Sequence, residues 1–132
     1  GAEATGVAER FETRRADAFD AMAELGDQGE TFDLVVCTLT MAHLGPSEQL
    51  VGLENLRRSM RADGRLLLQL TAADLSGLSE AVRTKFRIIQ HHTYRGRLMQ
   101  RMWDIPLPRT VLAWMARRDV EPREHLLLLA NP

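Results

Sequence analysis

The stretch FDLVVCTLTMAHL, residues 32–44, joins an apolar run to an abrupt polar end. The run is apolar at successive rather than alternate positions, which is typical of a strand covered on both faces. We therefore predict a buried strand over Thr31–Thr38. Small polar residues and a histidine follow it, as expected where a strand surfaces or delivers side chains to a site.

The next 26 residues predict a helix and a second buried strand. Ser47, which follows a proline, is the expected N-cap of the helix, and Gly64 is the expected C′ residue. Apolar residues recur at near-helical spacing at Leu50, Leu53, Leu56 and Met60. RLLLQL, residues 65–70, then reads as a strand. Strand, helix and strand together predict a parallel βαβ unit.

Shorter patterns predict the other elements. They are a strand at Arg10–Ala16, a helix at Ala18–Leu25 stopped by Gly26, helices at Leu75–Phe86 and Arg109–Arg118, and a strand at His125–Ala130. Residues 87–104 fit either a hairpin that turns at Arg95-Gly96 or a long helix. The alternation predicts an α/β fold, a mostly parallel sheet with flanking helices, in a single domain over residues 1–132.

Composition excludes several classes of protein. The 132 residues are 45% hydrophobic and 27% charged, with a formal net charge of −1, which is typical of one globular domain. No apolar run approaches the roughly 20 residues that a membrane-spanning helix needs. Cys37 is the single cysteine, so an internal disulfide is excluded. We therefore predict a reducing, cytoplasmic location.

Residues 82–102 carry only basic charges, at Arg83, Lys85, Arg87, Arg95, Arg97 and Arg101. Such a run is typical of a solvated face, and it also fits a surface that holds an anionic substrate or a nucleic acid. An aromatic content of 5% provides few stacking platforms, which argues against a single-strand nucleic-acid binder.

Three predicted strand ends carry candidate functional residues, because ligands of open α/β sheets bind beyond the carboxyl ends of the strands. Asp17 fits either an acceptor for an amino group or a helix cap. Cys37 is most often a small buried hydrophobe. His43 fits either a general base or a loop residue that only packs or caps. The adjacent His91 and His92 would point to opposite faces of a strand, so they predict no metal site.

The order of these motifs resembles the class I S-adenosylmethionine-dependent methyltransferases. The resemblance rests on FDLVVCTLTMAHL, on the turn at residues 61–65 (RADGR) into RLLLQL, and on the acidic-plus-small pair Asp17-Ala18. It is clearest over residues 7–75. It implies a partial Rossmann-like methyltransferase fold with S-adenosylmethionine as the cofactor.

The resemblance also implies roles for individual residues. Asp17 and Ala18 would hold the adenine. Cys37, Thr38 and Leu39 would line the cofactor beside its methionine and ribose. The side chains at the substrate mouth would be Met41 and His43, and His43 would be the candidate base that deprotonates the acceptor.

The chain departs from the family ahead of Asp17. The family's first strand ends in a glycine-rich G-x-G loop and its second strand in an acid, and neither precedes Asp17 here. We therefore expect the C-terminal half of such a fold, with the N-terminal half supplied upstream, by a partner chain or by a dimer. Since the family's first strand lies beside its fourth, Phe32–Val36 would have an open apolar edge.

Two functions follow from the resemblance. The first is methyl transfer to a small-molecule acceptor, which the basic run favours as anionic or carrier-bound, and which needs neither a membrane nor a nucleic acid. The second is a non-catalytic methyltransferase-like domain that acts as an assembly or regulatory partner.

Overall fold

The computed structural model of the chain describes residues 8–38, 40–95, 110 and 123–132. Its strands are β1 (Phe32–Cys37), β2 (Met60–Thr71), β3 (Arg87–Arg95) and β4 (Arg123–Ala130). Its α-helices are α1 (Ala18–Asp27), α2 (Pro46–Arg58) and α3 (Ala72–Lys85). Two short 3-10 turns cover Ala8–Arg10 and Met41–His43. The predicted α/β class is confirmed.

The four strands form one mixed sheet in the order β1-β2-β4-β3. β1 and β2 are parallel, whereas β4 is antiparallel to both β2 and β3. The prediction of a mostly parallel sheet is therefore wrong, because β4 inserts between β2 and β3 in the opposite direction. β3 nevertheless runs in the same direction as β1 and β2, because β2 and β3 are both antiparallel to β4.

The predicted βαβ unit is confirmed as β1-α2-β2, but both ends of its helix differ from the prediction. Gly45, not Ser47, is the N-cap, because Pro46 takes the first helical position and Glu48 accepts a hydrogen bond from the Gly45 N–H at 2.9 Å. The helix ends at Arg58, and the hydroxyl of its C-cap Ser59 donates to the Asn55 carbonyl at 2.8 Å. The C-cap therefore lies five residues before the glycine that was expected to end the helix.

Gly64 lies inside β2 and serves a different purpose. Phe32 pairs with Met60 but Leu34 pairs with Arg65, so the intervening residues of β2 bulge out of register. A Cβ at Gly64 would lie 2.9 Å from the carbonyl oxygen of Phe32. Glycine is therefore required here for the close approach of two backbones, not for a helix stop.

The N-terminal segment departs most from its prediction. Residues 11–15 have no regular secondary structure, so the strand predicted at Arg10–Ala16 is wrong. Phe11 is 64% exposed, so its apolar side chain gains no burial that would favour an extended, paired conformation. α1 follows as predicted but passes through Gly26, and Gly29 adopts the left-handed conformation just beyond its end (φ 77°).

One hydrophobic core lies between the sheet and the helices. Its most completely buried side chains, each at most 2% exposed, include Leu66, Leu68 and Leu70 of β2, Leu127 and Leu129 of β4, Leu53 and Leu56 of α2, and Leu78 and Val82 of α3. From Gly64 to Thr71, β2 alternates buried and half-buried positions, so the helices cover only one of its faces. Leu50, expected in the apolar stripe of α2, is 47% exposed.

β1 is one of the two edge strands of the described sheet, as the open-edge prediction requires. Phe32, Leu34 and Val36 share one face and are 41%, 58% and 56% exposed. The prediction that this strand is covered on both faces is therefore wrong for the described part of the chain.

The described part of the C-terminal region resolves one open alternative. Residues 87–95 form a strand that pairs with β4, so the long-helix alternative is excluded there. Residues 96–104, including Gly96, lie outside the described residues, as does the helix predicted at Arg109–Arg118 except for the helical Thr110. The strand predicted at His125–Ala130 is confirmed as part of β4. Of the described helices, none has the length and apolar character that crossing a membrane requires.

Candidate functional site

The polar residues that follow β1 and β2 border two cavities, which we name the α1–α2 cavity and the strand-end cavity. Parallel strands bring their carboxyl ends to the same edge of a sheet. β1 ends at Cys37 and leads into the Met41–His43 turn, while β2 ends at Thr71 and leads directly into α3. The two cavities lie around these connections.

The α1–α2 cavity has a volume of about 340 Å³. Its lining combines the apolar Phe19, Leu44 and Val51 with the polar Asp17, Asp20, Ser47, Glu48 and Asn55. The volume lies at the lower end of the usual range for whole ligands.

Asp17 holds the N-terminus of α1 beside this cavity. Its Oδ1 accepts hydrogen bonds from the backbone N–H groups of Phe19 and Asp20, each at 3.0 Å. This oxygen of Asp17 therefore acts as a helix cap, which is one of the two alternatives that the sequence leaves open. A carboxylate can accept about four hydrogen bonds. The cap thus leaves capacity for an amino group, and the predicted adenine contact of Asp17 stays a prediction.

Gly52 of α2 permits the close approach of α1. A Cβ at this position would lie 2.8 Å from Cε1 of the Phe19 ring. The ring therefore lies flush against the backbone of α2, where it forms a wall of the α1–α2 cavity. A larger residue at this position would push the ring away and change the shape of the cavity.

The strand-end cavity has a volume of about 160 Å³. Its polar residues are His43, Gln69, Thr71, Asp74 and Glu124. They come from the 3-10 turn after β1, from the end of β2, from the first turn of α3 and from the start of β4. The fold thus gathers distant parts of the sequence at one edge of the sheet.

Gln49 is a buried amide that ties three elements together beside this cavity. Its Nε2 donates to the Met41 carbonyl and to Asp74 Oδ1, both at 2.9 Å. α2 therefore holds the 3-10 turn and the first turn of α3 in place. Because the bond to the Met41 carbonyl is buried and the bond to Asp74 is partly buried, both cost more to break than surface bonds would.

Asp74 has one satisfied and one unsatisfied carboxylate oxygen. Its backbone N–H donates to the Thr71 hydroxyl at 3.2 Å, which caps α3, and Oδ1 accepts from Gln49. Oδ2 is buried and has no hydrogen-bond partner in the described structure. Buried carboxylate oxygens without a partner are rare and call for an explanation.

Glu124 brings a second carboxylate to the same cavity. It is only 9% exposed and accepts a hydrogen bond from Gln69 Nε2 at 2.5 Å. The two partners are 55 residues apart in the sequence and meet because β2 and β4 are adjacent strands.

A charged cluster links α2 to α3 on the side of the sheet that the helices cover. Glu54 accepts hydrogen bonds from Arg57 at 2.6 Å and from Lys85 at 2.9 Å. These bonds lower the pKa of Glu54 to about 2, and the hydrogen bond from Arg57 is the largest cause, with a further contribution from Lys85. The cluster holds together the two helices that carry Gln49 and Asp74.

The predicted site residues are only partly brought together. Asp17 lines the α1–α2 cavity, with the exposed Ala18 next to it in sequence, and the exposed His43 lines the strand-end cavity. Thr38 is exposed at the end of β1, but neither it nor Cys37 lines either of these two cavities. Leu39 lies outside the described residues.

Two residues near the end of β1 belong to the core. Met41 is 1% exposed, so its predicted position at the substrate mouth is wrong. Cys37 is 7% exposed, and burial raises the pKa of its thiol. Its interpretation as a small buried hydrophobe is therefore supported, since a raised pKa disfavours the reactive thiolate.

The two cavities lie on either side of one short segment, residues 42–44. Leu44 lines the α1–α2 cavity, whereas Ala42 and His43 line the strand-end cavity. Consecutive Cα atoms are 3.8 Å apart. The two cavities are therefore neighbours, bordered by consecutive residues of one segment.

Sequence reasoning missed three residues of the site: Gln49, Asp74 and Glu124. Gln49 occupies a position four before Leu53, so it is a polar residue on the apolar stripe of α2, which was a detectable signal. Thr71 and Asp74 have the spacing of a capping box. Glu124 has no local signal, because its place depends on the pairing of β4 with β2.

The histidines do not assemble a metal site in the described structure. His91 and His125 contact each other through Nε2 and Nδ1 at 2.9 Å, a direct hydrogen bond that leaves no room for an ion between these two atoms. No group of three or more ligating side chains suited to a metal ion occurs among the residues that the structure describes.

The sequence matches no protein-family model, and no curated protein matches it either. Function is therefore argued from the two cavities and their residues.

Proposed function

We propose that the chain takes part in S-adenosylmethionine-dependent methyl transfer to a small-molecule acceptor, as the C-terminal part of a methyltransferase domain. The observation that carries the proposal is the pair of cavities on either side of residues 42–44. One is lined by Asp17 and the other by His43, which are the two residues to which the family resemblance gives adenine-binding and catalytic roles.

The α1–α2 cavity fits the adenine part of the cofactor. Phe19, Leu44 and Val51 provide apolar surface for a flat heterocycle, and the Asp17 carboxylate has capacity for its amino group. The close packing of the Phe19 ring on Gly52 gives this cavity its shape. Thr38, which is exposed at the end of β1, is proposed to approach the rest of the cofactor, and the contacts that the resemblance implies for Cys37 and Leu39 stay predictions.

The strand directions support a partial Rossmann-like fold. Doubly wound sheets have the strand order 3-2-1-4-5-6 with all strands in one direction. β1, β2 and β3 run in one direction and fit the last three positions of that order, with the antiparallel β4 inserted before the last of them. The first strand would then pair with the outer edge of β1, and we propose that an N-terminal half or a partner chain supplies it.

The chain's contribution to catalysis would be positioning, exclusion of water and movement of one proton. S-adenosylmethionine supplies a methyl group on a positive sulfur, which leaves as a neutral thioether when the acceptor's electron pair bonds to the methyl carbon. His43 lies at the rim of the strand-end cavity and is proposed to take the proton that the acceptor releases, at a ring nitrogen. We place the reaction in a reducing, cytoplasmic compartment.

Calorimetric titration with S-adenosylhomocysteine tests the cofactor assignment. We expect micromolar binding to the chain when the first strands are present, and binding weakened about tenfold in Asp17→Asn. Asparagine caps a helix as well as aspartate does, so this substitution removes the charge of the proposed adenine partner and keeps α1. Asp63→Asn, at an exposed position in the bulge of β2, is the matched control and should bind as the unchanged chain does.

The exposed face of β1 favours a second function, an assembly or regulatory domain without catalysis. An apolar strand at the edge of a sheet is a surface on which another chain can add a strand. Concentration-dependent association in analytical ultracentrifugation, together with no binding of S-adenosylhomocysteine even with the N-terminal half present, would favour this function over methyl transfer.

A further inference from the structure

We propose that the strand-end cavity binds a primary ammonium or amino group, so that the methyl acceptor is an amine rather than an anion. An ammonium would first lose one proton, which His43 takes in the proposed function, and the freed nitrogen electron pair would then bond to the methyl carbon as the carbon–sulfur bond breaks. That the bound compound is the acceptor rests on the proposed function, whereas the binding of an amine by the cavity does not. The inference depends on the unsatisfied oxygen of Asp74, on the charges of the lining and on the size of the cavity.

The unsatisfied oxygen of Asp74 calls for a hydrogen-bond donor. Gln49 already occupies Oδ1, and the Thr71 hydroxyl accepts from the backbone of Asp74 instead of donating to its side chain. Oδ2 is left buried without a partner, in a residue that lines the cavity. An ammonium group has three donors and no acceptor, so it supplies what this oxygen lacks without adding an unsatisfied acceptor.

The charge of the described lining favours a cation. Asp74 and Glu124 both face the cavity, and no lysine or arginine is among the residues described as lining it. Gln69 contacts only Oε2 of Glu124, so the other oxygen is not used by that bond. Two carboxylates at one small cavity repel each other, and a cation between them removes that cost. An anionic group at the same place would add a third negative charge.

The anionic acceptor that the basic run at residues 82–102 favours therefore does not fit this cavity. Arg83 lines a separate cavity between α3 and β3, together with His91. Lys85 of the same run pairs with Glu54, so neither of these two cations lines the strand-end cavity.

The volume of the cavity limits what it can hold. About 160 Å³ is smaller than the roughly 300 Å³ of a pocket that encloses a whole drug-sized ligand. The cavity is therefore suited to one end of a ligand, such as an amino group with a few carbon atoms. The rest of the acceptor would extend past His43, which is exposed at the rim.

The inference is tested with propylammonium and propionate, two probes of similar size and opposite charge. Each is titrated into the isotope-labelled chain, and backbone and side-chain amide signals are recorded by NMR. We expect propylammonium to shift the signals of His43, Thr71 and Asp74 and the side-chain amide of Gln69. Propionate should leave them unchanged. Equal binding of the two probes, or no binding of propylammonium up to about 100 mM, would overturn the inference.

Two variants connect the binding to the carboxylates. Asp74→Asn keeps an oxygen for the Gln49 amide and removes the negative charge, and we expect it to weaken propylammonium binding at least about tenfold. Glu124→Gln should weaken binding as well, and it provides the test if Asp74→Asn does not fold. Asp63→Asn makes the same charge change at an exposed position and should leave binding unchanged. Equal binding in all four proteins would overturn the role of the carboxylates.

Failure of this inference can be distinguished from failure of the proposed function. Binding of S-adenosylhomocysteine without binding of propylammonium would overturn the amine assignment and leave methyl transfer in place. Binding of propylammonium without binding of S-adenosylhomocysteine would support an amine site in a chain that is not a methyltransferase.

Discussion

β1 and β2 are neighbouring parallel strands of similar apolar character, yet they differ in how their side chains are covered. β2 is paired on both edges, and Leu66, Leu68 and Leu70 are at most 1% exposed. β1 is paired on one edge only among the described strands, and its three apolar side chains on one face are 41–58% exposed. An apolar sequence therefore favours a strand, but its neighbours in the fold decide whether that strand contributes to the core.

The largest expected difference between the two strands is in the cost of truncating a side chain. Leu68→Ala removes a side chain that is 0% exposed, and we expect it to lower the free energy of unfolding by about 2–5 kcal/mol. Val36→Ala, at a position 56% exposed, should lower it by less than about 0.5 kcal/mol. Urea denaturation followed by circular dichroism measures both changes. Comparable losses in the two variants would show that the outer face of β1 is covered in solution.

A smaller effect is expected at the amide that joins the end of β1 to the start of α3. Gln49→Ala removes the donor to both the Met41 carbonyl and Asp74 Oδ1, and leaves these acceptors buried without it. We expect a loss of about 1–3 kcal/mol in the free energy of unfolding. Amide hydrogen exchange should also become faster in Met41–His43 and in the first turn of α3.

The control for this variant is Leu50→Ala, which truncates an exposed side chain on the same helix. It should leave exchange at both places unchanged. If Gln49→Ala accelerates exchange no more than Leu50→Ala does, the amide does not hold the end of β1 to α3.

The smallest effect is expected at the charged cluster behind β2, and it should depend on pH. Because the pKa of Glu54 is lowered to about 2 from an ordinary 4.5, its ionised form stabilises the fold above about pH 4.5, and this contribution is lost as the pH falls towards 2. Its side chain is 33% exposed, so Glu54→Gln should lower the free energy of unfolding at pH 7 by less than about 1 kcal/mol.

The difference between the unchanged chain and Glu54→Gln should therefore shrink between pH 4.5 and pH 2. Denaturation at a series of pH values measures it, with Glu80→Gln, at an exposed acid on α3, as the control. A difference that stays constant across this range would contradict the lowered pKa.

The sequence predicts the elements of this fold better than their arrangement. The βαβ unit from Phe32 to Thr71 follows from local patterns of apolar residues and helix signals. The antiparallel direction of β4 does not, because a run such as Leu126–Ala130 has the same pattern in either direction. The exposure of β1 likewise depends on which elements cover it, and no pattern within the strand reports that.

The site is predictable to a similar degree. Asp17 and His43 were candidates because each lies at or just beyond a predicted strand end, and each lines a cavity, although the strand expected before Asp17 does not form. Met41 was misassigned because periodicity does not tell the buried side of a short turn from the exposed one. Asp74 and Glu124 line the same cavity only because β2 pairs with the distant strand β4, so no local pattern reveals the strand-end cavity.

We propose above all that a cofactor binds in the α1–α2 cavity, beside the segment that follows β1. An NMR titration of the isotope-labelled chain with S-adenosylhomocysteine, its first strands included, tests this directly. We predict shifts that cluster at Asp17–Asp20, at Leu44 and at Val51–Asn55, with little change in β3. Signals that do not move at millimolar ligand, or that move only between α3 and β3, would contradict it.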